Sequence, residues 1–189
     1  MFLCVTSVIV ITIIQLILAT IEKSVGKEED PSVGIIDAQS VKNTLVSSED
    51  QGFDAGKKIK GIKRHIIVDT LGLILAVVIQ SASVQDRTGA PTVIKEMKET
   101  WIRVIKIFAD SGYTGTLIKK IKTLFNIDIE VIKRSELHTF KVLPKRWIVE
   151  RTFAWIDTNR RNSKNYERLN QTSVTMAHLS AIRIMLNRF

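Results

Sequence analysis

Residues 64–79 read Arg-His-Ile-Ile-Val-Asp-Thr-Leu-Gly-Leu-Ile-Leu-Ala-Val-Val-Ile. Two β-branched, apolar runs, Arg64–Asp69 and Leu73–Ile79, flank the short segment Thr70-Leu-Gly72, which predicts a β-hairpin. Asp69 follows an apolar run at a tight turn and reads as a turn residue. Upstream, Val33–Val41 is an apolar run with Asp37 inside it, a buried strand. Asn43–Gly61, polar and glycine-containing, reads as a loop. Downstream, Asp86 precedes a helix over Gly89–Thr100, with Asp86 as its cap and Pro91 in its first turn. Val104–Ala109 is a strand that ends at Asp110. Thr116–Phe125 carries Leu117, Ile121, Leu124 and Phe125 at helical spacing. Ile127–Ile132 alternates as a half-buried strand does, Lys133–Leu143 is a loop, and Pro144 marks a boundary. Arg146–Thr158 is a helix with Val149, Phe153 and Ile156 on one stripe, and Thr172–Leu186 is the last helix. Strands first, then alternating strands and helices, predict an α/β fold: a mixed sheet with flanking helices.

Lys and Arg number 28 against 19 acids, a formal charge of +9 with a pI near 9.8. That surplus suits a polyanion, either nucleic acid or an anionic membrane surface, although a basic surface also serves solubility. The single cysteine, Cys4, excludes a disulfide framework and a multi-cysteine zinc site. His65, His138 and His178 lack the spacing of a helical zinc motif and read as surface or satisfied core histidines.

Residues 1–21 carry no charge and form an apolar N-terminal helix candidate, long enough to cross a bilayer. The segment has no basic n-region and no cleavage pattern of a secretory signal. It fits a membrane segment, a helix of a soluble core, or a start foreign to the domain. Residues 22–32, charged and polar as far as Pro31, read as a linker.

Asp37 and Asp110 share a context, since each closes an apolar run. If their strands are neighbours, the two carboxylates converge, and a divalent cation offsets their repulsion. Oxygen-only ligation selects magnesium or manganese. Either Asp alone also fits an ordinary strand-end turn. Glu150 lies in a helix among bases and equally fits a surface ion pair with Arg146 one turn earlier. Two basic stretches stand out. Gly56–Arg64 places Lys57, Lys58, Lys60, Lys63 and Arg64 between glycines, a pattern suited to a phosphate backbone or to a solvated turn. Lys145–Arg168 holds seven bases and three acids, among them Arg151, Arg160, Arg161 and Lys164. Its Trp147 and Trp155 read as core residues more readily than as platforms for splayed bases.

Several blocks in order resemble DDE transposases of the insertion-sequence four/five superfamily: residues 34–42, 52–61, 63–72, Phe108–Gly115 and Val149–Trp155, with Arg160-Arg161 and Tyr166-Glu167. The similarity covers about Pro31–Phe189. It implies an RNase H-like catalytic domain over 33–189. It further implies a metal-binding catalytic triad of Asp37, Asp110 and Glu150, and Arg146 as a DNA contact. The implied activity is Mg2+-dependent (or Mn2+-dependent) strand cleavage and strand transfer. The implied partners are transposon terminal inverted repeats and target DNA, bound by a homodimer in the cytoplasm, and this disfavours a membrane. The signature departs at two places. Its Tyr, seven before the Glu, is Leu143, and its basic residue, seven after, is Asp157. Relatives carry an N-terminal helix-turn-helix where this chain has the apolar segment. A truncated, catalytically silent DNA-binding remnant is therefore the competing expectation.

Overall fold

The computed structural model describes residues 2–44, 49–132 and 146–188, with side chains for 8–44, 49–132 and 147–187. Its strands are β1 (Val33–Lys42), β2 (Gly52–Asp54), β3 (Ile59–Val68), β4 (Ile74–Ser81), β5 (Lys106–Ala109) and β6 (Asp128–Val131). Its helices are α1 (Phe2–Ser24), α2 (Asp86–Thr100), α3 (Thr116–Phe125), α4 (Arg146–Asp157), α5 (Arg160–Ser163) and α6 (Asn170–Arg188).

The hairpin read from residues 64–79 is β3–β4, antiparallel through Val68↔Ile74. Asp69 shapes its turn: one carboxylate oxygen accepts the N–H groups of Leu71 and Leu73, each at 2.8 Å. β3 pairs with β1 along one edge and with β2 and β4 along the other, all antiparallel. β1 then pairs in parallel with β5, and β5 with β6. The sheet is thus antiparallel on one side of β1 and parallel on the other. A Cβ at Gly61 would stand 2.0 Å from the Val41 carbonyl oxygen, so only glycine lets β3 cross β1 and β2 there.

Strand periodicity divides the two faces. α4 lies on one, against β1 and β3. α2 lies on the other, where Gly89 abuts His65. Both faces being covered, β3 is buried from Gly61 to Val68. That burial takes in Lys63, Arg64 and His65, because the strand is central and its basic residues have no open side to turn to.

Several expectations change. The predicted loop over Asn43–Gly61 contains β2 and the start of β3, with Asp54 opposite Ile59. α2 begins at Asp86, so Pro91 falls inside it rather than in its first turn. Asp86 does not cap the helix; its carboxylate lies 2.8 Å from Lys63 Nζ. Leu124 is exposed rather than in the helix stripe, whereas Leu117 and Ile121 are buried. The loop predicted over Lys133–Leu143, Pro144 and His138 lie outside the described residues.

The apolar start is packed as a core helix. Val10, Ile14, Leu18 and Ile21 form one buried stripe of α1, which packs on α6, while Ile9 and Leu16 stay exposed. α1 runs on through the first residues of the predicted linker and buries Glu22 beside Asp69. Among the described residues no helix is long and apolar enough to cross a membrane.

Candidate active site

The parallel register of β1 and β5 pairs Val33 with Lys106 and Ile35 with Phe108. Carried two residues past its last pair, to just beyond the end of β5 at Ala109, the same register would bring Asp37 level with Asp110. Adjacent strands lie about 4.8 Å apart, and residues two apart share a face. Asp37 therefore projects with Ile35 and Gln39, and Asp110 with Phe108, all on the face that α4 covers. Both Asp residues are half-buried. One oxygen of Asp37 accepts the Ala38 N–H, and one of Asp110 accepts the Gly112 N–H, each at 2.8 Å.

Tyr113 lies near enough to both acids to feel their charge. It is fully buried, and its hydroxyl has no hydrogen-bond partner among the described groups. Burial pushes its phenol well above the ordinary value, and the charges of Asp37, Asp86 and Asp110 push the same way. Sequence reasoning missed Tyr113, although it sits inside the block Phe108–Gly115.

Glu150 is exposed on α4, whose buried side is Ile148, Val149, Thr152, Phe153 and Ile156. It shares a flank with Asp157, two turns later, which reaches β1 through Gln39. The N-terminal half of α4 is seated on the hairpin turn. Thr152 Oγ1 donates to the Gly72 carbonyl and Arg151 Nη2 to the Leu71 carbonyl, each at 2.8 Å. Among the described residues no three His, Cys, Asp or Glu side chains stand close enough to share one metal ion. Two half-buried carboxylates, one in β1 and one just past the end of its neighbour β5, offer only oxygen and suit a hard divalent cation.

The predicted DNA-contacting bases divide. Lys57, Lys58 and Lys60 are exposed on the β2–β3 turn and just after it. Lys57 Nζ donates to the Ala38 carbonyl at 3.1 Å, which holds that turn beside Asp37. Lys58 adopts a left-handed φ of 54° at the turn. Arg160, Arg161 and Lys164 are exposed in and after α5, with Arg161 paired to Glu167. Arg146 opens α4, and its side chain lies outside the described residues.

Three other predicted contacts turn inward. Lys63 lies 3.3 Å from Asp54 and 2.8 Å from Asp86. Burial tends to raise the Asp54 carboxyl, but the Ser40 hydroxyl, the Lys57 N–H and Lys63 outweigh it and hold the pKa at about 2. Arg64 is taken up by Gln39, Asp157 and the Asn162 carbonyl. The Arg151 guanidinium is stacked between Trp147 and Trp155, 4.4 and 4.3 Å from the ring centroids. The two indoles are thus spent on Arg151 rather than on the core, and Trp147 is 45% exposed. His65 is buried as expected but unsatisfied, since neither ring nitrogen has a hydrogen-bond partner. Burial, with Lys63 and Lys57 adding to it and Asp86 opposing, holds its pKa near 4.

A further basic feature lies past Asp110. Arg87 of α2 and Lys120 of α3 line an open cavity of about 450 Å3 with Thr88, Thr114 and Thr116. Arg87 stands alone in the sequence, whereas Lys120 belongs to the cluster Lys119-Lys120-Ile121-Lys122, which sequence reasoning missed as a basic feature.

The family described as "Transposase DDE domain" matches residues 28–185, most of the chain. The chain belongs to this family. Over 117 residues it is 30% identical to a protein of Burkholderia cepacia named as a candidate transposase for insertion sequence element IS402; the match takes in 57% of this chain and 54% of that protein. The chain thus spans about half the length of the curated relative it matches. Among solved structures, the catalytic core domain of BIV integrase superposes with a TM-score of 0.51 at 10% identity, over 82% of this chain and 94% of that one. A simian T-cell lymphotropic virus intasome in complex with PP2A regulatory subunit B56 gamma gives 0.55 at 14% identity, over 80% and 48%. At such identities the likeness is one of fold, and the transposase domain has the RNase H-like fold of integrase cores.

Proposed function

We propose that this transposase domain cuts and joins DNA strands during transposition of an insertion sequence, with Asp37, Asp110 and Glu150 as its catalytic carboxylates. The observation that carries the reading is the parallel pairing of β1 with β5, which supports bringing Asp37 near Asp110, with the helix of Glu150 packed against β1. Asp37 and Asp110 would hold magnesium or manganese between them, with Glu150 as the third ligand from α4. Bound there, such ions supply an activated water and stabilise the leaving 3′ oxygen of a phosphodiester.

The chain's own residues do the rest. Gly112 and Ala38 fix one oxygen of each Asp, leaving the carboxylates oriented before substrate arrives. Lys57, Lys58 and Lys60 grip phosphates beside Asp37, and Arg160, Arg161 and Lys164 grip them at the far end of α4. Arg87 and Lys120 extend the basic track past Asp110. Such contacts set register and affinity and carry little base discrimination. The DNA would include the element's terminal repeats and a target duplex, served by two copies of the chain. Lys63, Arg64 and Arg151 take no part in this grip, because their charged groups are engaged inside the fold.

One observation favours a second reading, a DNA-binding domain without cleavage: Glu150 does not complete a three-carboxylate cluster among the described residues. A single experiment separates the two. The purified chain is incubated with terminal-repeat duplex in magnesium or manganese, beside Asp110→Ala. Nicking by the wild type, lost in a folded Asp110→Ala, supports the enzyme. Salt-sensitive binding with no nicking in either metal supports the second reading.

A further inference from the structure

The transposase signature puts a base seven residues after the catalytic Glu, and this chain puts Asp157 there. The structure gives that acid a partner. Gln39 Nε2 donates to Asp157 Oδ2 at 2.6 Å, and Arg64 Nη1 lies 3.5 Å from Asp157 Oδ1. Arg64 Nη1 also donates to Gln39 Oε1 at 2.9 Å, closing a three-membered network. Arg64 Nη2 donates to the Asn162 carbonyl at 3.1 Å, which ties in the segment following α4. The Arg64 side chain is 3% exposed, and Asp157 is its only carboxylate partner among the described residues.

We infer that Gln39, Arg64 and Asp157 are positioning residues: together they clamp α4, and with it Glu150, against the strand that carries Asp37. The inference rests on the proposed role of those two carboxylates. Gln39 is two residues from Asp37 on the same face of β1, so the clamp grips the Asp37 strand next to the site. Asp157 is two turns from Glu150 on the same flank of α4, a distance of about 10 Å along the axis. A helix seated only by apolar contacts can slide or roll by a fraction of an ångström; an ionic contact to the buried Arg64, with the hydrogen bond from Gln39 beside it, narrows the seating. In this chain the side chain at position 157 is turned to Gln39 and Arg64 of the sheet.

Two measurements test this in a Cys4→Ser background. Spin labels at Ala154 on α4 and Asp128 on β6, both exposed, report the helix-to-sheet distance without metal. The wild type should give one narrow distribution, and Asp157→Ala and Gln39→Leu should broaden or shift it. Manganese titration should then show affinity reduced about 10-fold in both variants, the usual effect of removing a group that orients a ligand. Asp157→Lys, which restores the base of the signature, should behave worse than Asp157→Ala, because it faces the buried Arg64. An unchanged distance distribution overturns the clamp. A changed distribution with unchanged manganese affinity reduces it to a purely structural contact and overturns the positioning role. If the wild type binds no manganese, the proposed function fails, while the distance measurement still decides whether the clamp exists.

Discussion

The sheet half and the helix half of the proposed site are held by different forces. Asp37 lies in β1 and Asp110 directly follows β5, and the spacing of these paired strands is set by backbone hydrogen bonds. Glu150 rides on α4, which is located by side chains: a buried apolar stripe, Thr152 and Arg151 on the hairpin turn, and Asp157 on Gln39 and Arg64. The strand-borne pair is therefore held mainly by the sheet itself. The helix-borne carboxylate depends on contacts that single substitutions can remove. Damage to the sheet should threaten folding, and damage to the helix seat should threaten the site first.

The largest expected effects lie in the strand-borne pair. Asp37→Asn and Asp110→Asn should each lower DNA nicking by about 10^3-fold, the scale of losing a group that stabilises transition-state charge. Thermal unfolding should be unchanged or slightly raised in both, since each removes one of two neighbouring like charges. A variant with near wild-type nicking would show that these two acids are not catalytic.

Next comes the sheet itself. Lys63→Met leaves Asp54 and Asp86 without their shared cation and should destabilise by roughly 3–5 kcal/mol in denaturant titrations. Gly72→Ala strikes the helix seat instead. A Cβ there would meet Thr152 Oγ1 at 2.9 Å and Arg151 Nη2 at 3.1 Å, at a φ of 88°. It should cost about 1–3 kcal/mol in stability and impair nicking more than an equally destabilising change at the far edge of the sheet.

A pH experiment probes the turn between the two halves. Burial, together with neighbouring Glu22, raises the Asp69 carboxyl from 3.8 to about 7, against the pull of the Leu73 and Leu71 N–H groups. The folded chain then holds a proton that the unfolded chain releases. Asp69 thus contributes stability that is present below pH 4 and is lost as pH rises towards 7, by up to about 1.4 kcal/mol per unit. Asp69→Asn cannot titrate, so its stability relative to wild type should improve from pH 4.5 to pH 8. A constant difference would show that the carboxyl ionises normally.

The smallest effects concern the exposed bases. Lys57→Ala, Lys58→Ala and Lys60→Ala should each flatten the dependence of log binding constant on log salt by about 1. Lys63→Met, if enough stays folded to measure, should leave that slope unchanged.

These contrasts also mark what the sequence makes legible. The hairpin, the acid-bearing strands and the long helix of Glu150 follow from local patterning, because apolar periodicity and turn residues act over a few positions. The inward turn of Lys63 and Arg64 does not, because their partners Asp86 and Asp157 lie 23 and 93 residues away along the chain. The stacking of Arg151 between Trp147 and Trp155 is visible in hindsight as spacing of four on one helix. The docking of α1 by its Val10–Ile21 stripe was one of several readings of an uncharged segment, and only the position of α6 selects it.

Manganese uptake by the metal-free chain, followed by the loss of the free-ion EPR signal, tests the central claim most directly. Wild type should bind manganese, Asp37→Asn and Asp110→Asn should lose nearly all of it, and Glu150→Gln should bind more weakly than wild type but better than either. Equal binding by Asp37→Asn and wild type would contradict the assignment of the site.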